Sequence, residues 1–154
     1  MAPRIRKTLL VVHIVASVAL TGEVWGLVVL NTVATLTEDL ELAHTAYRLM
    51  PFMIFAGGVP LSLTALITGV TLGLGGHWGL LRYYWVAVKL VLLVAVIGVG
   101  IFVFDPEEMA AATEGARQVA DSRQWGQVAA LSTQIVMLLA STALSVFKPR
   151  WRLR

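Results

Sequence analysis

Residues 9–36 read LLVVHIVASVALTGEVWGLVVLNTVATL, twenty-eight positions that hold one acidic group, Glu23, and neither lysine nor arginine. A bilayer hydrocarbon core of ~30 Å is crossed by about 20 helical residues at roughly 1.5 Å each. This stretch therefore spans with residues to spare. Ser17-Val18-Ala19, behind the basic MAPRIRK, resembles a cleavable small-x-small site, but the apolar run continues well past Ala19, which favours a retained span over a signal peptide. Working outward, three more runs of this kind follow at about 47–74, 83–104 and 128–147. None alternates with the period of a strand, and lipid admits only helices or closed barrels. The expected fold is all-α: a polytopic membrane protein, one four-transmembrane-helix bundle over residues 1–154, with an outer loop at 105–126.

Composition agrees. Of the 154 residues, 58% are apolar and 14% charged, with mean hydropathy +0.80; soluble domains carry about 25% charged residues. A soluble enzyme, a disordered tail and a disulfide scaffold are excluded together. The absence of cysteine removes thiol nucleophiles, thiolate metal sites and lipidation through Cys. The formal charge of +3 would suggest nucleic acid only if the basic residues formed a face. They sit instead at chain ends and beside apolar runs, so the expected partner is the lipid bilayer, with no role for nucleic acid.

Charge placement also predicts orientation. Arg4, Arg6, Lys7, Arg82, Lys148, Arg150, Arg152 and Arg154 fall on the side of the termini; Arg48, Arg117 and Arg123 fall on the other. Eight against three places both termini in the cytoplasm by the positive-inside rule, in a bacterial inner membrane. Aromatic residues follow the expected interfaces, with Trp78, Tyr83, Tyr84, Trp85 and Trp151 inside and Tyr47, Phe52, Phe102, Phe104 and Trp125 outside. On the outer side, Asp105-Pro106-Glu107-Glu108 has the form of a capped helix start. Met109, Ala112, Ala116 and Val119 recur at helical spacing, predicting a short amphipathic helix on the outer surface within 105–124.

Polar residues inside the spans are the functional candidates. Glu23 lies near mid-membrane, where a charged carboxylate costs ~2.5–3.5 kcal/mol or more. It reads either as a proton or ion relay or a ligand contact, or as a neutral carboxyl fixing helix register, donating a hydrogen bond to Gln134 at similar depth or to a backbone carbonyl. Gly22 and Gly26 flank it and would let another backbone approach. His13 projects from the same helical face as Asn31, and reads as an axial or metal ligand or as a packing histidine. His77 lies in the loop GLGGHWG and could meet His13 only if that loop folds inward. Lys89 can snorkel to the lipid headgroups. Gly57, Pro60, Thr64, Thr68 and Thr71 form one stripe of the second span, read as packed interior, with the hydroxyls returning bonds to backbone groups freed by Pro60. No G-x-S-x-G, H-E-x-x-H or P-loop is present, so a non-enzymatic role is expected.

Three segments carry a resemblance: LLVVHIVASVAL at 9–20 with Gly22, Trp25 and Gly26 behind it, ALITGVTLGLGG at 65–76, and WVAVKLVLLVAVIG at 85–98 with Lys89. Together they resemble the four-helix unit of copper-resistance-D-type bacterial membrane proteins and their small relatives. The resemblance covers residues 8 to about 104. It implies an inner-membrane bundle linked to copper or haem handling, with His13 the matching residue of the first span. The Trp-Gly-Gly positions are displaced and rearranged here, and no Met- or His-rich loop is present to collect copper. The expectation is a binding, accessory or scaffold subunit, as a homo-oligomer or within a larger membrane complex. The alternative is a small oligomeric proton- or ion-coupled permease using Glu23.

Overall fold

The structure, a computed structural model, describes residues 2–75, 84–115 and 117–147. They form six α-helices and, among the described residues, no strand: α1 (Pro3–Leu36), α2 (Leu40–Met53), α3 (Val59–Gly75), α4 (Tyr84–Phe102), α5 (Pro106–Ala112) and α6 (Asp121–Phe147). A π-helical turn at Ile54–Gly58 joins α2 and α3 into one bent rod. Four helical stretches are long and apolar enough to cross a membrane, so this is an all-α bundle of membrane-spanning type.

The helices run past the apolar runs because caps, and not hydropathy, set their ends. α1 starts at Pro3, ahead of Leu9, with proline in its first turn where no amide hydrogen is needed. α2 starts at Leu40, ahead of Tyr47, because Asp39 accepts from the amides of Glu41 and Leu42. α6 starts at Asp121, ahead of Val128, while α4 ends at Phe102, two residues short of the expected boundary. Between Pro51 and Pro60 the rod stays helical throughout. It widens by one π turn, in which the Ile54 amide reaches both Met50 and Pro51 and the Val59 amide reaches Ile54. The hydroxyls of Thr68 and Thr71 bond the carbonyls of Thr64 and Ile67, one turn back on their own helix, and none reaches Ala56, the carbonyl that Pro60 would free.

α1 packs against α2, α3 and α6, while α4 packs against α3 and α6. The helices thus close a ring, with α1 and α4 diagonal. At the end that carries α5, the interior is filled by Leu27, Ala34, Tyr47, Met50, Met109 and Leu131. Here the structure corrects the expected outer helix. It is seven residues long, stops at Ala112, and docks on α2 with Met109 fully buried, so its apolar face packs on the bundle. The Asp105 cap forms as expected, accepting from the Glu108 amide. The helix ends because the Thr113 hydroxyl turns back to Met109 and Ala110, and Gly115 then takes φ 71°, a left-handed conformation that few other residues adopt. Of the two later positions in the pattern, Val119 packs on the core without being helical, and Ala116 lies outside the described residues. Tyr47 and Phe104 are likewise core residues, not interface anchors.

Candidate functional site

At the opposite end, where α1 begins and α6 finishes, the described residues do not fill the ring. A cavity of about 740 Å³ lies between α1, α3, α4 and α6, within the ~300–1,000 Å³ range of small-molecule sites. Its floor is formed by Leu20 and Leu138, behind which Val24, Val96 and Ile135 complete an apolar cluster. Leu10, Ile14 and Val18 on α1 and Leu139 on α6 line it while remaining exposed, so its open side lies between these two helices. The wall is mostly aliphatic. Its polar contributors are Arg6, His13, Ser17 and Thr21 on α1, Trp85 and Lys89 on α4, and Ser141, Thr142 and Ser145 on α6.

His13 is fixed in this wall by α3. Its Nδ1 stands 3.1 Å from the Ala65 carbonyl and 3.0 Å from Thr68 Oγ1. A carbonyl only accepts, and the Thr68 proton is directed to the Thr64 carbonyl. The network therefore assigns the proton to Nδ1 and leaves Nε2 as the ring's acceptor. Gly69 makes the approach feasible, because a Cβ there would stand 3.1 Å from His13 Cε1. Lys89 is close enough for its charge to act on His13.

Glu23 occupies a different place. It is not part of the cavity wall. Its carboxyl lies against the π turn: a Cβ at Gly57 would stand 3.2 Å from Glu23 Cγ, and one at Gly58 3.2 and 3.3 Å from the two carboxyl oxygens. Oε1 is buried without a hydrogen-bond partner. The expected bond to Gln134 is not made. Gln134 lies across the bundle, where its Nε2 donates to the Val96 carbonyl at 2.8 Å, entering over Gly100. Equal depth does not make two helices face each other at those positions.

The remaining candidates separate by location. Asn31 is fully buried in the α5-end layer, with neither amide atom partnered, and beside it the Tyr47 hydroxyl nears Thr35 and Gln124 without a bond of good geometry. Of the expected interior stripe, Thr68 is buried, Gly57, Thr64 and Thr71 are half-buried, and Pro60 is exposed. Gly26 faces Met53, whose Cε would stand 3.3 Å from a Cβ there, whereas Gly22 has open space around it. One glycine of the pair thus serves packing within the chain. His77 lies outside the described residues.

Among the described residues, the donors assemble neither a copper site nor a bis-histidine haem site. Among the described residues no group of three or more His, Cys, Asp or Glu gathers. A bis-histidine haem needs two ligands at one depth. His13 lies at the cavity end, and His44 at the other, donating through Nδ1 to Thr113 Oγ1.

Sequence reasoning missed the cavity and the part of Gly69 and Ala65 in seating His13. One signal was available: Gly69 and Gly73, with Ala65 one turn earlier, form a small-residue line on α3 against which a ring can lie. Comparison with protein-family models, curated proteins and solved structures finds no match to this chain.

Proposed function

We propose that this is a non-enzymatic binding protein of the membrane, which takes one amphipathic small molecule into the cavity between α1, α3, α4 and α6. The observation that carries the reading is the cavity itself: sized for a small molecule, apolar in most of its wall, and supplied with a few convergent polar groups, His13 among them. The reading rests on this geometry rather than on the resemblance to copper-resistance-D-type proteins. Arg4, Arg6 and Lys7 stand at the start of α1 beside the cavity, and the sequence segments that follow α3 and α6 hold five more Lys and Arg, which supports a cytoplasmic position for that end in a bacterial inner membrane.

The test is retention of ligand. Protein purified in mild detergent is expected to carry about one extractable small molecule per chain, detected by mass spectrometry of the intact complex. Ser141→Trp, which fills the cavity from α6, is expected to abolish it while leaving the helical circular dichroism unchanged. Retention undiminished in that variant would place the molecule elsewhere.

The second reading, a proton- or ion-coupled permease, is favoured by one observation: the Glu23 carboxyl lies against a π turn with Oε1 unpartnered, and π turns are frequent at functional sites. Flux in proteoliposomes, abolished by Glu23→Gln and indifferent to Ser141→Trp, would select it.

A further inference from the structure

We infer that the ligand of this cavity is an acyl amphiphile with an anionic head group, entering sideways from the lipid between α1 and α6. The inference rests on the binding reading above and gives it a chemistry.

Depth comes first. The wall reaches from Arg6 to Thr21 along α1, fifteen residues and about 22 Å at the helical rise. A leaflet of hydrocarbon is about half of ~30 Å, so the cavity covers one leaflet together with its headgroup zone. It ends at the level where Leu20 and Leu138 close the core. An extended acyl chain has this length, and a compact ring does not need it.

Charge comes second. Arg6 stands at the mouth and Lys89 beside His13, while no Asp or Glu is among the described lining residues. The sequence segments adjoining this end, 76–83 and 148–154, hold five more Lys and Arg and no acidic residue. All nine acidic residues lie elsewhere, eight of them on the α5 side and Glu23 outside the cavity wall. The described wall carries Arg6 and Lys89 and no carboxylate, so an anionic head is attracted there by about 1 kcal/mol per basic group at a membrane surface.

Access comes third. Leu10, Ile14, Val18 and Leu139 border the open side and are exposed. In a bilayer such side chains meet acyl tails and not water, so a lipid tail can pass between α1 and α6 without leaving hydrocarbon. The head then slides along the cationic rim while the tail enters, and no charge crosses the membrane. A free fatty acid and one chain of an anionic phospholipid share this chemistry.

The experiment measures binding of radiolabelled palmitate, and of hexadecan-1-ol as its neutral counterpart, to the full chain in phosphatidylcholine nanodiscs. One palmitate per chain is expected, with hexadecan-1-ol bound about tenfold or more weakly. The double variant Arg6→Gln, Lys89→Gln is expected to erase that difference by weakening palmitate alone. Repeating the titration in discs containing phosphatidylglycerol assigns the source, since displacement identifies a leaflet lipid and its absence a free fatty acid. Equal binding of acid and alcohol, both abolished by Ser141→Trp, would overturn the anionic head and leave the binding reading standing. Binding of neither probe, or binding insensitive to Ser141→Trp, would overturn both. Should Ser141→Trp fail to fold, Ser145→Phe fills the same space one turn away.

Discussion

The two ends of the bundle are both mostly apolar inside and reach opposite results. At the α5 end, Tyr47, Met50, Met109 and Leu131 are fully buried, and α5 with its His44–Thr113 bond seals the top. At the other end, α1 turns Leu10, Ile14 and Val18 outward, α3 contributes Gly69 and Gly73, and the centre stays open. Side-chain volume accounts for the contrast. Where α2 supplies tyrosine and methionine, four helices close over a packed interior; where α3 supplies glycine and alanine, the ring cannot fill its middle. The cavity is a property of what the described core leaves out.

The sharpest way to break this comparison is to delete equal volume at both ends. Leu131→Ala removes a fully buried side chain from the filled end and is expected to cost about 3 kcal/mol, the scale of a new core cavity. Leu93→Ala enlarges space that already exists, and is expected to cost about 1 kcal/mol. Thermal unfolding in detergent, followed by circular dichroism, reads both. Equal losses would mean that the two ends are packed alike.

A second measurement examines the boundary between the ends, where Glu23 meets the π turn. Gly57→Ala places a Cβ 3.2 Å from Glu23 Cγ, and is expected to destabilise by about 1 kcal/mol despite the helical preference of alanine over glycine. In a Glu23→Ala background the same change is expected to be neutral or stabilising, giving a coupling of about 1 kcal/mol in a double-mutant cycle. Additive effects would separate the carboxyl from the turn.

The smallest expected effect concerns the seal itself. Arg123 and Glu108 pair across the α5 cap, with both side chains more than a third exposed. Glu108→Gln is expected to cost no more than about 0.5 kcal/mol, falling towards zero in high salt. A larger loss would show that the charges, and not Met109 beneath them, hold the cap in place.

Much of this was legible beforehand. The runs at 9–36, 83–104 and 128–147 each fall on one helix, the run at 47–74 on α2 and α3 joined by the π turn, and Asp105 and Pro106 started α5 where the pattern placed them. The interior Thr68 could be read from the stripe on its helix, and it proved to be the residue that meets His13. The partners could not be read. Gln134 was matched to Glu23 by depth, yet its amide bonds Val96 on the other side of the bundle.

The sequence by itself determined the solvent, the number of spans and the local ends of several helices, because chain length, hydropathy and capping act along the chain. Only the tertiary structure decided which face of each helix turns inward, where α5 docks, and that one end stays open. In a soluble helix the polar face marks the outside. Here lipid and core both accept aliphatic side chains, so helix rotation leaves almost no trace in composition. It is set by the fit of Tyr47, Met50 and Leu131 at one end and of His13 against Gly69 at the other, contacts between residues far apart in sequence.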